Sequence, residues 1–62
     1  MPIITMEGPK LTKEQKAELI AKFTKTASEV TNIPEQAFSI LIKENAADNI
    51  GVGGKQLSEL GE

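Results

Sequence analysis

The chain has 62 residues, and cysteine, histidine, tryptophan and tyrosine are all missing from it. Without Cys or His it cannot form a disulfide, a thiolate nucleophile, a His-assisted nucleophile or a Cys/His zinc site. The Asp and Glu residues fall mainly at positions expected to face solvent, where these residues usually lie. We therefore expect no metal and no cofactor, and most familiar arrangements of catalytic side chains are excluded.

Arginine is also absent, so all seven basic residues are lysines. A lysine is a point charge and cannot hold a carboxylate through two parallel hydrogen bonds as arginine does. The formal net charge is −2, and the aromatic residues are limited to Phe23 and Phe38. Binding of nucleic acids needs clustered cations and stacking surfaces, so we predict no nucleic-acid partner.

Long apolar segments are missing as well. No run approaches the roughly 20 apolar residues that cross a bilayer, and the N-terminus lacks the basic start and apolar core of a signal peptide. We expect a cytoplasmic protein with no membrane partner. Residues 1–62 are expected to form a single domain, and a chain of this size buries only about 60% of its unfolded surface. Association with copies of itself is the remaining source of stability, so we predict a homo-oligomer.

The sequence does contain a pattern of short secondary-structure elements. Residues 2–7 form a β-branched, apolar segment that ends at a Gly-Pro pair, which predicts a strand. Thr12 and Gln15 fit a capping box and predict the start of a helix that runs to about Thr31, after which Asn32 can adopt the left-handed conformation. Apolar residues recur through this helix at helical spacing, namely Leu19, Ile20, Phe23, Ala27 and Val30.

A second strand is predicted over residues 37–44, where one face is apolar from Phe38 to Ile42 and the other face is mixed. Phe23 and Phe38 are predicted to lie in the core between helix and sheet. Two strands joined by a long helix form a β-α-β unit with parallel strands. The glycine-rich residues 49–54 predict a short hairpin that could pair with a neighbouring subunit. The predicted fold is therefore α/β (α+β), a β-α-β protomer with a C-terminal hairpin, completed by oligomerisation.

Two places in the chain are candidates for a functional site, and only the second remains after closer inspection of the residues. The glycines of residues 51–54 do not fit a phosphate-binding loop, because no strand leads through them into a helix with a Lys-Ser/Thr step, and a tight hairpin explains them. Pro2 would carry a free secondary amine at the start of a strand once Met1 is removed. An α-amine titrates near about 8, so desolvation or a nearby cation can leave it unprotonated as a base. Taken alone, the Met-Pro dipeptide is far more typical of a proline that is merely an ordinary second residue.

Several short motifs occur together along the chain. They are Pro2-Ile3, Glu7-Gly8, Glu14-Gln15-Lys16, the helical Leu19 and Ile20, Ile42, Glu44, and Gly51-Val52-Gly53-Gly54. With these motifs and its length the sequence resembles the 4-oxalocrotonate tautomerase family. The resemblance implies a β-α-β protomer that commonly forms a hexamer. It also implies that Pro2 is catalytic, because in this family the amino-terminal proline moves a proton between an enol or dienol and its conjugated ketone.

The family's best-studied members also use two arginines and a phenylalanine that are missing here. Lys10 is the cation nearest to the first arginine, Ser39 stands at the second, and Ile50 stands at the phenylalanine. The resemblance therefore implies Lys10, Ser39 and Ile50 as substrate-binding candidates beside Pro2. Non-functional roles explain two of these residues as well. Lys10 can be a solvated loop lysine, and Ser39 can be a serine that is merely tolerated on the mixed face of the strand.

The predicted function is that of an isomerase that interconverts the enol and keto forms of a small unsaturated 2-oxo acid. Because the arginines are missing, we expect weaker binding of a dicarboxylated dienol. One alternative is a related decarboxylase or dehalogenase activity that uses the same amine. The other is a non-catalytic oligomeric scaffold, which retention of Met1 would favour because an acylated Pro2 nitrogen is not basic.

Overall fold

The structure is a computed structural model, and it describes residues 1–60 of the chain. The elements in chain order are β1 (Ile3–Gly8), α1 (Lys13–Thr31), β2 (Ser39–Glu44), β3 (Gly51–Val52), β4 (Lys55–Gln56) and α2 (Leu57–Leu60). Two short 3-10 turns, Glu35–Ala37 and Ala47–Asn49, precede β2 and β3. This order confirms the predicted β-α-β unit followed by a C-terminal hairpin.

The parallel pairing of β1 with β2 organises the protomer. It runs from Ile3 opposite Ser39 to Gly8 opposite Glu44. Parallel strands cannot be joined by a tight turn, and α1 provides the long connection that they need. As in any parallel pair, the N-terminal ends of both strands meet at one end of the sheet and the C-terminal ends meet at the other. This arrangement decides which predicted site residues can lie together.

The two faces of the β1–β2 sheet differ in exposure. Ile4 and Met6 alternate with more exposed neighbours and are half-buried on the face toward α1. On the opposite face, Ile3 is 63% exposed and Leu41 is 50% exposed. The predicted division into an apolar face and a mixed face is therefore present. The second face remains open in a single chain, and we call it the open face.

Local signals fix both ends of α1. Thr12 Oγ1 accepts the Gln15 N–H at 3.0 Å, and Gln15 Oε1 accepts the Thr12 N–H at 3.0 Å, which completes the predicted capping box. At the other end Asn32 has φ 66° and donates its N–H to the Ser28 carbonyl oxygen at 2.9 Å. Within residues 1–60, neither helix combines the length and the apolar character needed to cross a membrane.

Both strands begin slightly later than the sequence predicts. β1 begins at Ile3 and not at residue 2, because Pro2 has no N–H to donate to a strand ladder. The Pro2 carbonyl oxygen still accepts the Ser39 N–H at 3.0 Å, so residue 2 remains attached to the sheet. β2 begins at Ser39 and not at residue 37, because Glu35–Ala37 form a 3-10 turn.

The C-terminal hairpin is built on two glycines in the left-handed region. Val52 pairs with Lys55 across the turn, where Gly53 has φ 61° and Gly54 has φ 85°. Positive φ at both central residues is the requirement of a type I′ hairpin turn. β3 and β4 form a sheet of their own, and α2 follows at once in a region that the sequence left unassigned.

A single chain encloses very little. No side chain among residues 1–60 is fully buried, and even the predicted core residues Phe23 and Phe38 are only half-buried. On α1, Ile20 is 42% exposed and Val30 is 81% exposed, because two strands cannot cover the apolar stripe of the helix. The radius of gyration is 15.0 Å, whereas a compact domain of this length has about 10.6 Å. The chain exposes 4886 Å², whereas a folded monomer of its mass exposes about 3,900 Å².

Candidate active site

Pro2 and Ser39 lie together at the N-terminal end of the parallel sheet. The Ser39 N–H donates to the Pro2 carbonyl oxygen at 3.0 Å. The Ser39 hydroxyl lies at the same place, because its Oγ is 3.6 Å from Met1 Sδ. Pro2 and Ser39 are half-buried, whereas Met1 is 85% exposed. Two of the four predicted site residues therefore share one small region at the start of β1.

Lys10 and Ile50 lie together at the opposite end of the sheet. They line a recess of ≈ 470 Å³ between the β1–α1 loop (residues 9–12) and the segment that follows β2. Ile50 is half-buried, and its carbonyl oxygen accepts the Leu57 N–H at 2.7 Å. Among the described residues that line this recess, Lys10 alone is charged. We call this cavity the Lys10 recess. Its mainly apolar wall and single cation suit a small organic anion.

One chain does not bring the two pairs together. β1 has six residues, and a strand rises about 3.3 Å per residue, so its length alone separates Pro2 from Lys10 by roughly 17 Å. A small substrate cannot span that distance. Pro2 and Ser39 form one half of the predicted constellation, and Lys10 and Ile50 form another half at the far end of the same sheet.

Glu44 joins three elements at the end that carries the Lys10 recess. Its Oε2 accepts the Lys16 Nζ hydrogen at 2.8 Å and the Leu11 N–H at 3.0 Å. The last residue of β2 is thereby bonded to the first turn of α1 and to the β1–α1 loop. From the sequence, Glu44 is notable only as one of the residues that carry the family resemblance. The signal was available, because β2 of a β-α-β unit ends beside the point where the helix begins.

The same contacts determine the charge state of Glu44. The hydrogen bond from Lys16, followed by the one from the Leu11 N–H, holds the pKa of the Glu44 carboxyl below its ordinary value of 4.5. The charge of Lys10 contributes in the same direction, although less. Glu44 is therefore an anion at neutral pH, and Lys16 is its direct counter-ion.

Asn45 joins the loops on the other side of the Lys10 recess. Its N–H donates to the Gly8 carbonyl oxygen at 2.8 Å, and its Nδ2 donates to Glu7 Oε1 at 3.1 Å. These bonds extend the parallel ladder by one residue and fix the wall of the recess. Within residues 1–60, no three Asp or Glu side chains cluster closely enough to hold a metal ion.

Comparison with known proteins places the chain in a family. The family model of the tautomerase enzymes matches residues 2–60. A 2-hydroxymuconate tautomerase of Bacillus subtilis (strain 168) is 36% identical over an alignment of 63 positions that covers 97% of this chain and 98% of that protein.

Two solved structures are similar in sequence and in fold. YwhB, a homologue of 4-oxalocrotonate tautomerase, superposes with a TM-score of 0.86 at 34% identity, over 94% of this chain and 97% of its own. DmpI from Archaeoglobus fulgidus superposes with a TM-score of 0.83 at 38% identity, over 92% of this chain and 98% of its own. These relatives support an isomerase of the tautomerase type. On the family match, the sequence identities and the shared fold, the chain belongs to the 4-oxalocrotonate tautomerase family.

Proposed function

We propose that this protein interconverts the enol or dienol and the keto forms of a small unsaturated 2-oxo acid, with the free amine of Pro2 as general acid and base. The observation that carries the proposal is the attachment of residue 2 to the sheet through the 3.0 Å bond from the Ser39 N–H. That bond holds Pro2 at a fixed place at the start of β1. Removal of Met1 would create the amine at this place without disturbing the strand.

The proposed chemistry needs only one positioned base. The neutral amine accepts the enol hydroxyl proton and the resulting ammonium delivers a proton to carbon, so the product is an isomer and the amine is regenerated. A positioned base contributes about 10²- to 10⁴-fold to such a step. The Ser39 hydroxyl contacts the side-chain sulfur of Met1. Removal of Met1 would take this partner away, and the hydroxyl could then donate a hydrogen bond to a substrate oxygen.

A complete site would require more than one copy of the chain. Pro2 and Lys10 are separated by the length of β1, so the Lys10 recess of one copy must meet the Pro2 end of another. The surface left open by a single chain, about 1,000 Å² more than the roughly 3,900 Å² of a compact monomer, supports this assembly. We infer a homo-oligomer in which residues 1–62 form one domain, and the family resemblance makes a hexamer the expected form.

The proposed substrate binding depends on Lys10, Ser39 and Ile50. Lys10 would attract a carboxylate at the mouth of the recess, and Ile50 would provide an apolar wall beside the conjugated carbons. A lysine offers no bidentate geometry, so a second carboxylate on the substrate should add little affinity. One relative of this chain is a 2-hydroxymuconate tautomerase. We therefore choose 2-hydroxymuconate, a dicarboxylated dienol, as the first substrate to test.

Replacement of Pro2 by Ala tests the proposal. The variant keeps an α-amine, but a primary amine is less basic and differently placed. We therefore expect kcat/KM for 2-hydroxymuconate to fall by at least about tenfold, which is part of the roughly 10²- to 10⁴-fold that a positioned base provides. Pro34→Ala is the matched control, since it removes a proline far along the chain from the amine. Equal activity of the Pro2→Ala variant and the unmodified protein would contradict the proposal.

A further inference from the structure

We propose that Glu44 is a positioning residue for Lys10, because its carboxylate holds the peptide unit that joins Lys10 to Leu11. This inference rests on the proposed function, in which Lys10 binds the carboxylate of the substrate. It assigns a role in substrate binding to a side chain that does not itself line the Lys10 recess.

The hydrogen bond from the Leu11 N–H to Glu44 acts on the backbone directly beside Lys10. The Leu11 N–H that donates to Glu44 Oε2 at 3.0 Å belongs to the same peptide unit as the Lys10 carbonyl group. Lys10 itself is exposed, so its own side chain contacts do not fix the course of its backbone. The bond to Glu44 crosses from the end of β2 to the middle of the β1–α1 loop. It therefore sets where the Lys10 side chain leaves the backbone relative to Ile50.

Lys16 has a separate role in this arrangement. An unpaired carboxylate beside Lys10 would attract the Lys10 ammonium and compete with an anionic substrate. Lys16 Nζ lies 2.8 Å from Glu44 Oε2, and both side chains are about one-third exposed, at 34% and 33%. Because Lys16 neutralises Glu44 directly, Glu44 can hold the loop through its oxygen while Lys10 remains available to the substrate.

The chain contains a second ion pair that provides a control. Glu18 Oε2 lies 2.7 Å from Lys22 Nζ one helical turn away, with side chains that are 64% and 73% exposed. This pair has the same chemistry as Glu44 and Lys16. It lies within α1 and its hydrogen bond does not reach the β1–α1 loop.

The test uses steady-state kinetics of the full-length, processed protein with 2-hydroxymuconate as the probe. We expect Glu44→Ala to raise KM by roughly two- to tenfold, the equivalent of one lost hydrogen bond, with kcat changed by less than about twofold. Glu44→Gln keeps an acceptor oxygen for the Leu11 N–H and removes a negative charge, so its KM should equal or fall below that of the unmodified protein. Glu18→Ala should change neither constant.

Two further measurements cover the case in which Glu44→Ala does not fold. Lys16→Met keeps the Leu11 hydrogen bond but leaves Glu44 without its counter-ion, so KM should rise while kcat stays unchanged. Amide hydrogen exchange at Leu11 should be slow in the unmodified protein and in Glu44→Gln. Fast exchange at Leu11 in the unmodified protein would contradict the hydrogen bond itself.

The outcomes separate this inference from the proposed function. If the unmodified protein does not turn over the dienol, the proposed function fails and the role of Glu44 fails with it. If the protein is active but Glu44→Ala keeps the original KM, only the positioning role of Glu44 is refuted. If Lys16→Met keeps the original KM, the role of Lys16 as the counter-ion that leaves Lys10 available is refuted. Equal increases of KM in Glu44→Ala and Glu44→Gln would also refute the positioning role of Glu44, because the amide oxygen can replace the carboxylate as the acceptor.

Discussion

Replacement of Leu41 by Lys is expected to weaken assembly of the chain. Leu41 lies in the middle of β2, opposite Thr5, and is 50% exposed on the open face. Complete burial of a leucine side chain contributes about 1.5–3 kcal/mol, so burial of the remaining half contributes roughly 0.8–1.5 kcal/mol for each copy. A lysine loses this contribution, and its charge is costly to remove from water. We therefore expect the association constant to fall by at least about tenfold.

Sedimentation velocity at micromolar concentration measures this effect. The unmodified protein should sediment as a species several times heavier than the 6.7 kDa chain, and Leu41→Lys should shift toward the monomer. Leu41→Met is the matched control, because a volume-conserving apolar replacement should still assemble. A folded monomer of the unmodified protein would refute the reasoning, as would a Leu41→Lys variant that assembles normally.

Three further predictions concern the hairpin, the acid stability and the substrate. Gly54 has φ 85°, so Gly54→Ala should lower the free energy of unfolding, measured in urea, by about 1–2 kcal/mol, the cost of a left-handed residue with a side chain. Gly51→Ala is the control and should lower it less, because its Cβ would lie 3.7 Å from the Lys55 carbonyl oxygen. Equal losses in the two variants would contradict the assigned turn. The pKa of Glu44 lies below 4.5 in the folded chain, so its stabilising contribution is present above that pH and is lost as the pH falls through the lowered pKa. Urea midpoints measured from neutral to acid pH should show this loss in the unmodified protein and not in Glu44→Gln. Parallel curves of midpoint against pH for the two proteins would contradict the prediction. The value of kcat/KM for 2-hydroxymuconate should be little higher than that for a monocarboxylated dienol, because Lys10 cannot form a bidentate hydrogen bond with a carboxylate. A strong preference for the diacid would contradict that interpretation.

The parts of the fold that local interactions determine were predictable from the sequence. The capping box of Thr12 and Gln15 and the left-handed Asn32 are contacts between residues close in sequence, and both ends of α1 followed from them. The parallel pairing of β1 and β2 also followed, because a helix between two strands permits little else. The exact start of each strand did not follow, since the ladder depends on which N–H groups find acceptors in the neighbouring strand.

The candidate site was only partly predictable, for a different physical reason. The bond between Leu11 and Glu44 joins residues 33 positions apart, and its existence depends on how β2 ends beside the start of α1. Likewise, the family resemblance places Pro2, Lys10, Ser39 and Ile50 in one group, whereas a single chain divides them between the two ends of a sheet. Such groupings depend on tertiary and quaternary contacts, which periodicity and local motifs do not contain.

The central claim is that the free amine of Pro2 transfers the proton, and one comparison tests it most directly. The processed protein, which begins at Pro2, is compared with a form that carries one extra residue before Pro2, so that the amine becomes an amide while every other side chain is unchanged. Sedimentation and thermal denaturation of both forms verify that fold and assembly are preserved. We predict that kcat/KM of the processed form rises through one ionisation below the value of about 8 that is typical of α-amines, and that the extended form loses turnover of 2-hydroxymuconate. Equal turnover by the two forms would contradict the claim, because an amide nitrogen cannot act as the base.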